Sequence, residues 1–330
     1  MRFESNVRNR LILLAGLACL ASQAQAETAT PITFLTNWYA QAEHGGFYQA
    51  QAEGLYAKEG LDVNVQMGGP QVNAIQLLAA GRAQCILSED IAIFSARQQG
   101  VPLVMVAASF QHDPVVLIAH DDVGQLQDLR NRTLLISSSV HSSWWPWAKS
   151  QLGFSDEHTR PYSFNVQPFM ADNNLAQQGY LTSEPYSLTK QGATFKTFRL
   201  SEAGYPPYGN AIACDSRWAD AHPDQLKAFV HASMLGFKHY LADPAPGDKL
   251  IREANPAMTQ DQLDYSVQKL NSTGLVTGGD AQTGGIGVIT PARMKQTWDM
   301  AVKYGLIDGA KVPLDEAFTT RFIEQAPVMP

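Results

Sequence analysis

Short apolar runs alternate with helix-patterned stretches from about residue 32 to residue 218, and this alternation restricts the fold more than any other feature of the chain. ITFLTNW (32–38) reads as a strand, and His44 to Lys58 as a helix closed by Gly60. LDVNVQM (61–67) alternates apolar and polar residues, as a half-buried strand does. QVNAIQLLAAG (71–81) puts Val72, Ile75, Leu78 and Ala79 on one helical face and stops at Gly81. AQCILS, DIAIFSARQQG and PLVMVAAS continue as strand, helix and apolar strand. The rhythm resumes with PVVLIAH (114–120), VGQLQDLRN (123–131), TLLISSS (133–139) and SSWWPWAKSQLG (142–153). PYSFNVQ (161–167) is expected as a strand, ADNNLAQQG (171–179) as a helix, and YLTSEPY (180–186), FKTFRL (195–200) and AIACDSRW (211–218) as strands. From His222 onward the pattern is mainly helical. Buried strands separated by helices predict an α/β fold of mainly parallel sheets flanked by helices. Apolar crossovers near 115–120 and 210–215 divide it into two lobes, 27–118 with 211–330 and 119–210.

Residues 1–26 are set apart from this pattern. Arg2, Arg8 and Arg10 precede the apolar run Leu11–Leu20, and Ala24-Gln25-Ala26 is a small-x-small cleavage site. This is the form of a secretory signal peptide, with an apolar run too short to span a bilayer. Cys19 offers a lipid-anchored alternative, although Gly16 stands where the lipid-attachment motif usually has Leu. Loss of the leader removes three arginines and Glu4 from 24 Lys+Arg and 31 Asp+Glu, leaving 21 against 30 and a formal charge of −9. Such a chain lacks the basic excess of a nucleic-acid binder. Cys85 and Cys214 both sit in apolar runs; buried free thiols are the default reading, and a disulfide in an oxidising compartment is the other.

Ligands of open α/β sheets bind beyond the carboxyl ends of the strands. That rule selects Asn37, Trp38, Tyr39 and His44 after the first strand, Ser88 and Glu89 after AQCIL, and Ser109 and Phe110 after PLVMVAA. In the second lobe it selects Ser137, Ser138, Ser139, His141 and Trp144 after TLLI, and Glu184, Pro185 and Tyr186 after YLTS. YPPYGN (205–210) adds Tyr208 and Asn210 as a hinge-side wall. Flat faces at Trp38 and Tyr39 with polar edges at His44 and Glu43 suit a planar heterocycle, and Glu184 offers an acceptor for an aminopyrimidine edge, a surface or hinge salt bridge being its plainer reading. Packing of Trp38 in the core, and N-capping by Ser139 or Ser142, are the plainer readings. Glu43 reads as a solvated first-turn acid, Trp147 as core, and Gly45-Gly46 as bare N–H groups open to a ligand. Arg82, Arg97, Arg130, Arg132 and Arg160 lie away from the selected strand ends, which tells against a small inorganic or sulfonate anion. H-E-x-x-H and G-x-S-x-G are absent and the eight histidines are scattered, so no catalytic residue, metal or cofactor is expected.

The wording of several segments resembles a known family. Trp38, HGGFYQAQAEGLYAKEGLDV (44–63), AIQLLAAGRAQ (74–84), YGNAIACDSRW (208–218) and HPDQLKAFVHASMLG (222–236) are similar to the NMT1/THI5-like group of periplasmic solute-binding proteins of ABC importers. The resemblance implies a two-lobed type II clamshell, a monomer in the periplasm that closes on a small molecule and is then recognised by an inner-membrane permease. It further implies a ligand of the thiamine-pyrimidine type. Flavin binders are an alternative, as are sulfonate or nitrate binders. The fungal relatives that make the pyrimidine from an active-site histidine are another, which would cast His44 in that role, but they use a run of adjacent cysteines that this chain lacks. Cleavage after Ala26 should leave Glu27 first; N-terminal sequencing of exported protein checks this, and an intact Met1 or a lipid on Cys19 would contradict it.

Overall fold

The structure, a computed structural model, describes residues 29–325 and 327–330; the leader read at residues 1–26 lies outside the described residues. Ten strands form two five-stranded sheets among the described residues. The first contains β1 (Thr30–Leu35), β2 (Leu61–Gln66), β3 (Cys85–Ser88), β4 (Leu103–Ala108) and β10 (Ala211–Asp215). The second contains β5 (Val115–Ala119), β6 (Thr133–Ile136), β7 (Thr159–Pro161), β8 (Leu175–Tyr180) and β9 (Lys196–Arg199).

In the first sheet β1 pairs in parallel with β2 and β3, while β10 lies between β3 and β4 and runs antiparallel to both. The second repeats this plan: β6 is parallel to β7 and β8, and β5 lies antiparallel between β8 and β9. Four strands of each sheet therefore point one way and one is reversed. The reversed strand is in each case the first one laid down after the chain crosses from the other sheet. The fold is thus the two-sheet α/β architecture expected. β2 shows the half-buried alternation read from the sequence, with Leu61, Val63 and Val65 inside and Asp62, Asn64 and Gln66 outside. β3 and β5 are buried throughout.

Residues 161–186 depart from expectation. β7 ends at Pro161 and Gln167–Ala171 is helical, so PYSFNVQ is not a strand. The expected helix over ADNNLAQQG is β8 instead. Its Ala, Gln and Gly favour no strand, but pairing between β6 and β5 at the centre of a sheet overrides local propensity. The expected strand YLTSEPY ends at Tyr180, and Glu184–Lys190 is a helix with Pro185 in its first turn. Proline there removes an N–H that would have no intrahelical partner in any case.

Helix Gly45–Ala52 packs tightly on the long helix Pro223–Ala242. A Cβ on Gly46 would stand 2.2 Å from the Phe237 ring, and one on Gly236 would stand 2.1 Å from the Gly46 carbonyl oxygen. Gly45 likewise makes room for the ring of Tyr240. The glycine pair therefore serves helix packing, which corrects the reading of bare N–H groups turned toward a ligand. The same contact carries the core on this side, where Phe34 meets Phe47 at 4.4 Å and Phe47 meets Phe237 edge-on at 5.1 Å.

Cys85 and Cys214 stand opposite each other in the β3–β10 register and are joined by a disulfide. The default reading of two free buried thiols is corrected: antiparallel pairing places them face to face, which sequence spacing does not reveal. The bridge closes a separation of 129 residues and ties the returning chain to the sheet it left. Replacing both cysteines by alanine should cost about 2–5 kcal/mol, as removal of native disulfides commonly does. A urea midpoint equal to that of the parent would contradict this.

Candidate functional site

A cleft of about 900 Å³ opens where the carboxyl ends of β1, β3, β6 and β8 converge. The first wall follows β1. Asn37 donates from Nδ2 to Asn210 Oδ1 at 3.2 Å, and its own Oδ1 lies 3.0 Å from His44 Nε2. Because the amide oxygen can only accept, His44 carries its proton on Nε2. Burial holds the His44 pKa down to about 3, so the imidazole is neutral. Trp38 lies beside this triad on the cleft surface. Glu43, read as a solvated acid, is buried and accepts from the Thr182 hydroxyl of the second sheet's side. Burial pushes its carboxyl pKa up.

The opposite wall is built at the ends of β6 and β8. Glu184, in the first turn of its helix, accepts from the Tyr180 backbone N–H at 2.7 Å and from the Tyr162 hydroxyl at 3.1 Å. Burial raises its pKa, against the lowering effect of those hydrogen bonds. Each Glu184 oxygen keeps a lone pair for a ligand. Gln178 accepts from the Ser137 N–H at 2.7 Å, and the Ser137 and Ser139 hydroxyls lie 2.7 Å apart. Phe164 reaches across to Trp38 with a centroid separation of 5.6 Å. It is 57 % exposed, and it alone among the described non-glycine residues has a positive φ, 58°. A bulky side chain in that conformation is strained, and such outliers gather at ligand clamps.

The floor is acidic. Ser88, Glu89, Asp113, Tyr180 and Tyr205 line it. Burial and the neighbouring Asp90 push Glu89 up to about 7, while burial and Glu89 push Asp113 up to about 8. Asp90 itself accepts from the backbone N–H groups of Tyr208 and Gly209 at 2.9 and 3.1 Å, so it anchors the second crossover. Among the described residues, four carboxylates line the cleft and no lysine or arginine does.

Of the residues selected from the sequence, the cleft brings together Asn37, Trp38, His44, Ser88, Glu89, Ser137, Ser139, Trp144, Glu184 and Asn210. Eight others lie off its surface, Ser109, Ser138, His141 and Pro185 among them. Tyr39 is turned outward, 44 % exposed, against Gly69 and the edge of Trp38. Phe110 is wholly buried in the core. Tyr186 packs on Tyr265 at 5.6 Å, and its hydroxyl lies near Thr259. Tyr208 is buried; its hydroxyl accepts from the Thr290 N–H at 2.9 Å and its ring lies under the Arg293 guanidinium. Sequence reading missed Glu43, Asp113, Phe164, Gln178, Tyr180 and Tyr205 as cleft residues. Asp113 had a usable signal. It precedes β5, and a reversed strand starts on the side where its neighbours end.

The sequence profile of the family described as NMT1/THI5 like matches residues 41–246. The riboflavin-binding protein RibY of Chloroflexus aurantiacus is 24 % identical over 339 aligned positions, covering 95 % of this chain and 95 % of that protein. A formylaminopyrimidine-binding protein of Halalkalibacterium halodurans is 23 % identical over 293 positions, covering 83 % of this chain and 88 % of its own. In fold, the chain is similar to the ligand-binding component of an ABC-type import system from Staphylococcus aureus, solved with zinc bound. That likeness has a TM-score of 0.65 at 14 % identity and covers 90 % of this chain and 99 % of the other. The profile spans more than half of the chain, and on that ground the chain belongs to the NMT1/THI5-like family.

Proposed function

We propose that this protein is the extracytoplasmic solute-binding component of an ABC importer, a monomer that captures a small planar nitrogen heterocycle of the thiamine-pyrimidine type and passes it to a membrane permease. One observation carries the reading: the cleft is lined by aromatic faces and four carboxylates, with no cationic side chain among the described residues. A nitrate, sulfonate or phosphate needs buried cations or a cluster of donors. An aminopyrimidine needs the reverse, a stacking face and acceptors for its N–H edge. Trp38 supplies the face, and Glu184 the acceptors from the opposite lobe. The two sheets support a division into 27–118 with 211–330 and 119–210 except at the first crossover, where β5 (Val115–Ala119) pairs wholly in the second sheet and moves that boundary to before Val115. The aromatic pair Trp38–Phe164 and the Glu43–Thr182 hydrogen bond join the lobes across the cleft mouth and floor. Binding without turnover is supported by the binding proteins among its relatives.

A second reading is a flavin-type ring. It is favoured by the cleft volume of about 900 Å³, near the upper end of the range for small-molecule sites. Mass spectrometry of whatever is released from purified protein by mild denaturation separates the two.

Trp38→Ala should lose a stacking face worth about 1–3 kcal/mol. Glu184→Gln should lose a charge-assisted hydrogen bond worth about 1.5–3 kcal/mol. Each variant should therefore bind about tenfold or more weakly, since about 1.4 kcal/mol is a factor of ten. Trp147→Phe, buried against Tyr205, should bind like the parent. Titration calorimetry with 4-amino-5-hydroxymethyl-2-methylpyrimidine and with riboflavin checks all three; parental affinity in both of the first two variants contradicts the placement of the ligand.

A clamshell should also compact when filled, as ligand shifts the open–closed equilibrium. Solution scattering at saturating ligand should show a smaller radius of gyration than free protein, and an unchanged radius contradicts closure.

A further inference from the structure

The placement of the ligand between Trp38 and Glu184 leaves one end of the cleft unused. There Glu89 and Asp113 face each other's charge across the floor. Glu89 occupies the N-cap position of helix Asp90–Gln98, yet its side chain makes no capping bond and has no hydrogen-bond partner among the described residues. Asp113 is 5 % exposed; one oxygen accepts from the Val115 N–H at 2.8 Å and the other has no hydrogen-bond partner among the described residues. Tyr205 is 3 % exposed, lines the cleft and has no partner for its hydroxyl among the described residues, and that hydroxyl faces the Asp113 and Glu89 charges. Tyr180 completes the wall and feels the same two carboxylates.

The adjacent Asp90 shows what a structural acid looks like here. It is buried and both of its oxygens accept backbone N–H groups. Glu89 and Asp113 have no comparable set of donors. Asp113 is buried and Glu89 half-buried at the edge of the same cleft, and two such carboxylates whose charges repel are costly unless they share a proton or hold a cation.

We propose that Glu89 and Asp113, walled by Tyr180 and Tyr205, form a subsite for a cationic nitrogen carried on the ligand, a primary ammonium or an amidinium. The inference rests on the heterocycle reading above and deepens it: of two derivatives of one ring, the protein selects the positively charged one over its neutral hydroxyl counterpart. Phenol rings beside the carboxylates add cation–π attraction.

Protonation sets the sign of the pH effect. The groups facing the subsite are Glu89 and Asp90 from the start of one helix, Asp113 from the first crossover, Tyr180 from the end of β8 and Tyr205 from the second crossover. Glu89 and Asp113 are raised to about 7 and about 8, so the empty pair holds a proton near neutrality. A cation must expel that proton, and its affinity therefore rises from pH 6 to pH 8. For the empty protein the sign is opposite. Acids whose folded pKa lies above the unfolded value contribute stability below the unfolded pKa, and it is lost as pH rises through the folded pKa.

The test compares 4-amino-5-aminomethyl-2-methylpyrimidine with its 5-hydroxymethyl analogue by calorimetry at pH 6 and pH 8, in buffers of different ionisation enthalpy. The ammonium probe should bind at least tenfold more tightly at pH 8, with proton release, and the ratio should shrink at pH 6. Glu89→Gln with Asp113→Asn should bring the ratio to about one, whereas Trp38→Ala should weaken both probes and leave the ratio unchanged. Thermal unfolding of the empty protein checks that the variant folds; its melting temperature should fall less between pH 6 and pH 8 than that of the parent. Equal binding of the two probes by the parent, or tighter binding of the hydroxymethyl form, overturns the subsite and leaves the heterocycle reading standing. If neither pyrimidine binds but agmatine, a guanidinium without an aromatic ring, raises the melting temperature in a Glu89-dependent way, the ring reading falls and the subsite stands. If none of the three binds, both fall.

Discussion

The insertion of one reversed strand into each sheet is the constraint on which the rest of the structure depends. β5 and β10 each enter a sheet antiparallel between two strands that point the other way. Each therefore begins on the side where its neighbours end. The chain segments leading into them, Ser109–Pro114 and Leu200–Asn210, are thereby brought to the cleft, and with them Asp113, Tyr205 and Asn210. The disulfide from β3 to β10 fixes the register of one insertion covalently. Asp90, beside β3, fixes the approach to it by accepting two backbone N–H groups of the crossover. The strands that divide the chain into lobes thus also deliver residues to the site.

Burial gives the acids of the cleft unlike roles. A carboxylate removed from water is tolerated when donors surround it and is costly when they do not. Asp90 has backbone donors and serves the fold. Glu184 has two donors and spare lone pairs, so it is held in position and still able to bind. Glu43 accepts from the Thr182 hydroxyl, joining the two sides of the cleft. Glu89 and Asp113 are the least compensated, and the charge they lack is what a ligand can bring. His44 follows the same physics with the opposite sign: burial keeps it neutral, and its ring orients Asn37, which in turn reaches Asn210.

Phe164 shows how a strained position enters the site. Its loop joins β7 to the helix Gln167–Ala171, and its positive φ turns an exposed aromatic ring toward Trp38 on the other side of the cleft. Two aromatic rings stacked on either face of a planar ligand stand about 7–8 Å apart, because each contact takes about 3.5–4.0 Å. A planar ligand between Trp38 and Phe164 would need their separation of 5.6 Å to widen.

Much of this was legible in the sequence. The alternation of apolar runs and helical patterns specified two α/β lobes, because strand and helix periods differ and buried strands demand cover on both faces. The strand-end rule reached nine residues that line the cleft, including Trp38, His44, Glu89 and Glu184, since the loop after a parallel strand has few places to go. Local pattern failed around 161–186. Whether LAQQGY becomes helix or strand depends on partners far away in sequence, and the centre of a sheet can impose extended structure on residues that do not favour it. The same limit left open whether Cys85 pairs with Cys214, and it hid the burial of Phe110 and Tyr208 and the convergence of Glu89 with Asp113. Sequence alone determined the α/β class, most of the strands and helices outside 161–186, and the chemical types available at most strand ends. Tertiary structure decided which of those side chains share one space, which are shielded from water and which charges face each other, because burial and proximity depend on the packing of distant segments that no local pattern encodes.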